Sequence, residues 1–235
     1  MATASPATAS PTALSPSVLP RDWTLADVLD HLHVPPQRIL AYPPLGTATE
    51  DDVLEIKRRT GRLCELVDGI LVEKPMGYYE STLAVALGYF LHRYLDQRPI
   101  GAVSAPDGTM KIVPPKVRMP DVAFVRWDRL PERRLPRGRP VPVLAPDLAV
   151  EVLSETNTEE EMQQKLQEYF AGGTRLVWYI DPETRSARVF TSPDRHTVLD
   201  AQGVLDGADV LPGFQLRLGD LFDRAEKGAG EPREK

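Results

Sequence analysis

The sequence predicts an α/β fold with α+β character, a mixed sheet flanked by helices, and three observations predict it. First, the apolar stretch PDLAVEVLS (146–154) is followed by a helical segment over about 158–171 and then by a second apolar stretch, TRLVWYID (174–181). That order is the form of a crossover unit. Second, LCELV and ILVEK flank Asp68-Gly69, a dipeptide that supplies the positive φ angles of a two-residue hairpin. Third, Leu83, Leu87, Phe90, Leu91 and Tyr94 fall on one face of a helix running from Gly77 to about Asp96, which must pack against a sheet.

The elements follow in chain order. Residues 1–20 are mostly Ala, Ser, Thr and Pro, cannot bury enough surface to offset their ordering entropy, and are expected to form a disordered tail. Residues 21–62 read as a helical lead-in: Thr24 caps LADVLDHL, a proline-broken stretch follows, and the acidic start at Thr49-Glu50-Asp51-Asp52 opens a second helix closed by Gly61. The main domain spans 63–223. After its hairpin and long helix come the β-rich segments VSAPDGTMKIV, RMPDVAFV, PDLAVEVLS and TRLVWYID, the last two separated by the helix that ends at Gly172-Gly173. SARVFT, HTVL and FQLRLGDLF are expected to complete a sheet edge. Residues 224–235 mix charges with Gly and Pro and read as a second tail.

Composition narrows the function classes. A formal charge of -6 excludes a molecule-wide basic field for gripping nucleic acid, so such a partner must meet a local patch. The lone Cys64 excludes an internal disulfide and an all-thiolate zinc site, and suits a reducing cytoplasm. No secretory h-region is present, and no uncharged apolar run reaches the roughly 18 residues of a membrane span, so a cytoplasmic protein without a membrane partner is expected.

Two carboxylates stand where strands should be buried. In PDLAVEVLS, alternation puts Ala149, Glu151 and Leu153 on one face and Leu148, Val150 and Val152 on the other, and both faces are largely apolar. An unpaired charge at Glu151 would cost several kcal/mol, roughly, unless it is paired, hydrogen-bonded or bound to a cation. Asp121 in RMPDVAFV poses the same problem. Two acids on neighbouring strands can share one divalent cation, and oxygen-only ligands select Mg²⁺ or Mn²⁺ over zinc. The bland alternative pairs each with an arginine such as Arg118 or Arg175. Lys165 lies on a helix whose buried stripe is Met162, Leu166, Tyr169 and Phe170, at the edge of that stripe, able to reach either the sheet or water.

These motifs in order closely resemble the Uma family of restriction-endonuclease-like proteins, a branch of the PD-(D/E)XK nuclease superfamily. They are ELVDGILVEKP, Pro120-Asp121, Asp147-Leu-Ala-Val-Glu151-Val-Leu-Ser154, Lys165-Leu-Gln-Glu-Tyr169 and Val177-Trp-Tyr-Ile-Asp181-Pro182. The resemblance runs from about Leu63 to Phe222. It implies a restriction-endonuclease-like core and a Mg²⁺ (or Mn²⁺) dependent site that hydrolyses DNA phosphodiester bonds. Asp121 and Glu151 resemble the two acidic metal ligands. The superfamily's usual lysine, two residues after the second acid, is Leu153 here, and the resemblance implies Lys165 on the following helix in its stead. Glu65 matches an acid typical of the family and is a candidate third carboxylate. Glu80 stands where the family often has a histidine at the start of the long helix. A homodimer would suit cleavage of both strands of a duplex. The competing reading is a protein that keeps the nuclease fold as a binding or scaffolding module.

Other polar residues carry bland readings. Asp147 follows a proline and reads as a strand-start residue. His31, His33, His92 and His196 are scattered, without metal-ligand spacing. Residues 127–140 (WDRLPERRLPRGRP) hold five arginines against two acids and are either a solvated loop or a grip on phosphates, as is Lys57-Arg58-Arg59.

Overall fold

The computed structural model describes residues 17–74 and 76–227. The expected tails therefore lie mostly outside the described residues. Inside them, Val18 donates its N–H to the Gly46 carbonyl at 2.9 Å, and Leu19 packs against the N-terminal helix cluster. Arg224 to Lys227, at the start of the second expected tail, form the end of the last helix.

The lead-in helices are α1 (Leu25–Leu32) and α2 (Glu50–Thr60). Each opens with reciprocal capping: Asp27 accepts the Thr24 N–H at 2.7 Å and Asp52 accepts that of Thr49 at 2.8 Å. Gly61 closes α2 in the left-handed region. The hairpin is β1 (Cys64–Val67) and β2 (Ile70–Glu73), with positive φ at both Asp68 and Gly69. Gly69 is required twice, since a Cβ there would also sit 2.3 Å from the Gly46 carbonyl oxygen.

Then come α3 (Tyr78–Gln97), β3 (Gly101–Ser104), β4 (Met110–Val113), β5 (Lys116–Arg118), β6 (Val122–Arg126), β7 (Leu148–Val152), α4 (Glu159–Ala171) and β8 (Leu176–Asp181). The chain ends with β9 (Ser186–Ser192), β10 (Arg195–Leu199), β11 (Val204–Asp206), β12 (Gln215–Arg217) and α5 (Leu218–Lys227). Strands β10-β9-β8-β7-β6-β3 form a six-stranded sheet in which only β7 and β8 run parallel, joined through α4 as a crossover. Strands β2-β1-β5-β4 form an antiparallel four-stranded sheet. Among the described residues no helix is long and apolar enough to cross a membrane.

Both faces of the six-stranded sheet are covered. On one, Leu83, Leu87 and Leu91 of α3 pack on Phe124, Leu148, Val150 and Trp178, and each of these buried leucines contributes roughly 1.5–3 kcal/mol. On the other, Met162, Leu166 and Tyr169 of α4 pack on Ala123, Ala149 and Val177, with Met110 and Ile112 of β4 closing the cluster. The α4 helix thus lies where the two sheets meet.

Two expectations change in detail. VSAPDGTMKIV is divided by a turn at Ala105–Gly108, so β3 pairs with β6 while β4 joins the other sheet. FQLRLGDLF adds nothing to the sheet edge: Gln215–Arg217 pairs only with β11, and Leu218, Leu221 and Phe222 lie on the buried side of α5. Their i, i+3, i+4 spacing is helical, and α3 offers the apolar surface they need.

A buried fork ties the lead-in to the domain. Arg38 donates to both carboxylate oxygens of Glu161 at 2.7 and 2.8 Å and to the Glu73 carbonyl at 2.9 Å. Burial raises the Glu161 carboxyl, but the Arg38 bonds outweigh it and hold the group below its ordinary value of 4.5. A depressed carboxyl stabilises the fold above its unfolded value, and that stability is lost as pH falls through the folded one. The stability gap between wild type and Glu161→Gln, measured by urea unfolding, should therefore be full near about pH 7 and shrink near about pH 3. A gap that does not change with pH would remove this account of the fork.

Candidate active site

Register brings the two sequence-flagged acids together. Strand β6 pairs antiparallel with β7 through Val122↔Val150 and Phe124↔Leu148, and Asp121 N–H continues the ladder to the Val150 carbonyl at 2.9 Å. Carried one residue further, this register sets Asp121 opposite Glu151, and opposed residues of an antiparallel pair point to the same face. That face is the one beneath α4. Both side chains are buried.

Their oxygens converge on one cation, the ammonium of Lys74. Lys74, just past the end of β2, places Nζ 2.9 Å from Asp121 Oδ1 and 3.3 Å from Glu151 Oε2, and donates to the Met119 carbonyl as well. The remaining oxygens are held too. Val152 donates its N–H to Asp121 Oδ2 at 2.7 Å, and the Tyr169 hydroxyl of α4 donates to Glu151 Oε1.

Lys165 reaches the sheet rather than water. Its side chain is 2% exposed, with Nζ 3.2 Å from Glu65 Oε2 and 3.7 Å from Glu151 Oε1. Glu65 lies one ion pair away from the Lys74 cradle: it takes Arg118 at 2.8 Å, the Met119 N–H at 3.1 Å and Lys165. Arg118 bridges onward to Glu168 at 2.7 Å, and Glu168 takes Lys116 at 2.9 Å. Neither Arg118 nor Arg175 neutralises the central acids, since Arg175 pairs with Asp147 and Asp209. Asp147 immediately precedes β7 and also accepts the Arg126 N–H at 2.8 Å.

Electrostatics follow this wiring. Burial pushes the Glu65 carboxyl up, but Lys165 and Arg118 outweigh it and hold the group well below the carboxylate range. For Lys74 burial favours the neutral amine, yet Asp121 and Glu151 keep the ammonium more firmly charged than an ordinary lysine. Glu151 differs: burial raises its carboxyl, and Lys165 and Lys74 offset only part of the rise. Among the described residues, no three His, Cys, Asp or Glu side chains gather closely enough to hold a metal by themselves.

A cleft of about 490 Å³ opens at the C-terminal ends of β7 and β8, where crossover sheets commonly receive ligands. Leu153, the next residue after Glu151 on the same strand face, lines it with Ser154, Asn157, Asp181 and Arg188, and half-buried Glu80 stands on its α3 side. The arginine-rich stretch leaves β6 at the other end. Five residues of strand, at about 3.3 Å each, separate Asp121 from Arg126, and among the described residues no arginine of this loop pairs with Asp121 or Glu151.

Sequence reasoning did not find Lys74. A signal existed: a lysine closing a strand whose preceding residues, Ile70, Leu71 and Val72, are all buried is as anomalous as a glutamate in β7.

No curated protein matches the chain. In fold it is similar to a solved structure whose title reads a putative nuclease belonging to DUF820 from Anabaena variabilis ATCC 29413. The TM-score is 0.64 and the identity 20%, covering 75% of this chain and 98% of that one. The sequence profile of Uma2, described as "Putative restriction endonuclease", matches residues 50–219. The ordered motifs, the mixed sheet with its α4 crossover and this match place the chain in the Uma2 family.

Proposed function

We propose that the protein is a metal-dependent endonuclease that hydrolyses DNA phosphodiester bonds, with Asp121 and Glu151 as the ligands of Mg²⁺ or Mn²⁺. One observation carries this reading: oxygens of Asp121, Glu151 and the Met119 carbonyl, from two segments of chain, converge on a single cation supplied by a third. The donor set fits, because carboxylate and carbonyl oxygens are the hard ligands that Mg²⁺ and Mn²⁺ prefer. When bound, such an ion would lower the pKa of its water and offset charge on the phosphate.

The protein's own groups do the positioning. Val152 N–H and the Tyr169 hydroxyl each fix one carboxylate oxygen, leaving the other turned to the shared cation. Lys165, held between Glu65 and Glu151, supplies a point charge on the side of the missing Leu153 lysine, for the phosphate or the attacking water. Glu65, with Arg118 behind it, orients Lys165. The cleft beside Leu153 and Glu80 is the approach for substrate. A cytoplasmic setting suits the buried thiol of Cys64, and a homodimer would let two such sites address both strands.

Plasmid incubated with wild type and Mg²⁺ or Mn²⁺ should be nicked and linearised, and Asp121→Ala should lose this activity by about a thousandfold, judged on gels over time. Cleavage that survives in Asp121→Ala would sink the site. The second reading, a silent nuclease-fold module, is favoured by one observation: every carboxylate of the cluster already has a cationic partner within the protein. Wild type that shifts DNA on a gel yet cleaves none with either metal would establish it.

A further inference from the structure

We propose that Lys74 is a built-in competitor for the divalent ion, its ammonium occupying the metal position until the ion displaces it. This rests on the metal-site reading above and adds to it how the site loads.

The geometry points to competition rather than partnership. Lys74 Nζ is within hydrogen-bonding reach of Asp121 Oδ1, Glu151 Oε2 and Met119 O, the same three oxygens a metal would use. A hard ion at about 2.1 Å from those oxygens cannot coexist with an ammonium at that point. Charge gives the same answer independently. Glu65, Asp121, Glu151 and Glu168 face Lys74, Lys165, Arg118 and the partly exposed Lys116, which also meets Asp68 at 3.4 Å, so the buried centre already has a cation for each of its acids. Adding a divalent ion would leave two excess positive charges in a water-poor interior, where uncompensated charge is expensive. Withdrawing the Lys74 ammonium toward solvent removes one of them. Its flexible four-carbon stem permits that by side-chain rotation alone. Lys165, anchored by both Glu65 and Glu151, stays, so the two lysines divide the work: one guards the empty site and the other serves the loaded one.

Three measurements test this on the whole chain, none requiring turnover. Calorimetric Mn²⁺ titration should show Lys74→Met binding at least about tenfold more tightly than wild type, while Lys74→Arg, which keeps a cation there, stays weak. The thermal midpoint of Lys74→Met should fall in EDTA and rise on adding Mn²⁺ by more than that of wild type. In case the variant does not fold without metal, wild type gives its own readout. Reductive methylation of Lys74, followed by mass spectrometry, should be slow in EDTA because the amine is buried, and should rise about tenfold or more with saturating Mn²⁺. Mn²⁺ binding to wild type with Lys74 still protected, or to Lys74→Met no more tightly, would overturn the competition and leave the metal site standing. Absence of Mn²⁺ binding to either protein at millimolar metal would overturn both.

Discussion

Glu151→Gln is expected to abolish DNA cleavage while leaving the protein folded within a few degrees of its original melting temperature. The two effects separate because the carboxylate does different things in each. Under the proposed function its negative charge would be a metal ligand, and losing several kcal/mol of charge stabilisation at the phosphate would slow the reaction by ten for each roughly 1.4 kcal/mol, or about a thousandfold in all. For stability its shape and hydrogen bonds matter more. Glutamine keeps the volume and an oxygen to accept the Tyr169 hydroxyl, and removes a charge whose burial already pushes its carboxyl upward. Lys74 retains Asp121 and Lys165 retains Glu65. Plasmid cleavage and differential scanning calorimetry on one preparation check this. Full activity in the variant would remove Glu151 from the chemistry, whereas a collapse in melting temperature would show its charge to be structural.

Arg118→Met should be the most damaging single change to stability, at about 3 kcal/mol or more. Arg118 is buried and forks between Glu65 Oε2 and Glu168 Oε2 at 2.8 and 2.7 Å, joining β5 to β1 and to α4. Methionine fills the space but leaves two buried carboxylates short of a positive partner, which costs far more than the pair contributes while intact. Lys165 beside Glu65, Lys116 beside Glu168 and the Met119 N–H soften the loss without replacing the shared guanidinium. For a chain of this size each kcal/mol moves the melting temperature by about 2–4 °C, so a fall of about 6–12 °C is expected. Arg118→Lys should recover only part of it, because one ammonium cannot present the guanidinium fork to both acids. A melting temperature unchanged by the methionine would show that the network does not need this guanidinium.

Much of this was legible along the chain. The α1 and α2 caps at Thr24 and Thr49, the Asp68-Gly69 turn and the α3 and α4 stripes are each written in local residues, and each element forms where its own chemistry puts it. Local reasoning misplaced FQLRLGDLF, because whether Leu218, Leu221 and Phe222 face a sheet or a helix depends on what lies opposite, here α3. It also flagged Asp121 and Glu151, since a charge in an apolar strand demands an explanation wherever the strand ends up. It could not supply the explanation, because the partner, Lys74, is 77 residues away from Glu151 in sequence. Lys165 stayed undecided between sheet and water until α4 was docked.

The amino-acid order by itself determined most of the elements, the crossover and the two anomalous acids, because capping, turn chemistry and hydrophobic period act over a few residues. The tertiary structure alone decided what those acids face: a shared ammonium from the hairpin, a second lysine from α4 and a tyrosine hydroxyl behind them. Ion pairing is set by distances of a few ångströms between segments that the chain brings together only when both sheets close on α4.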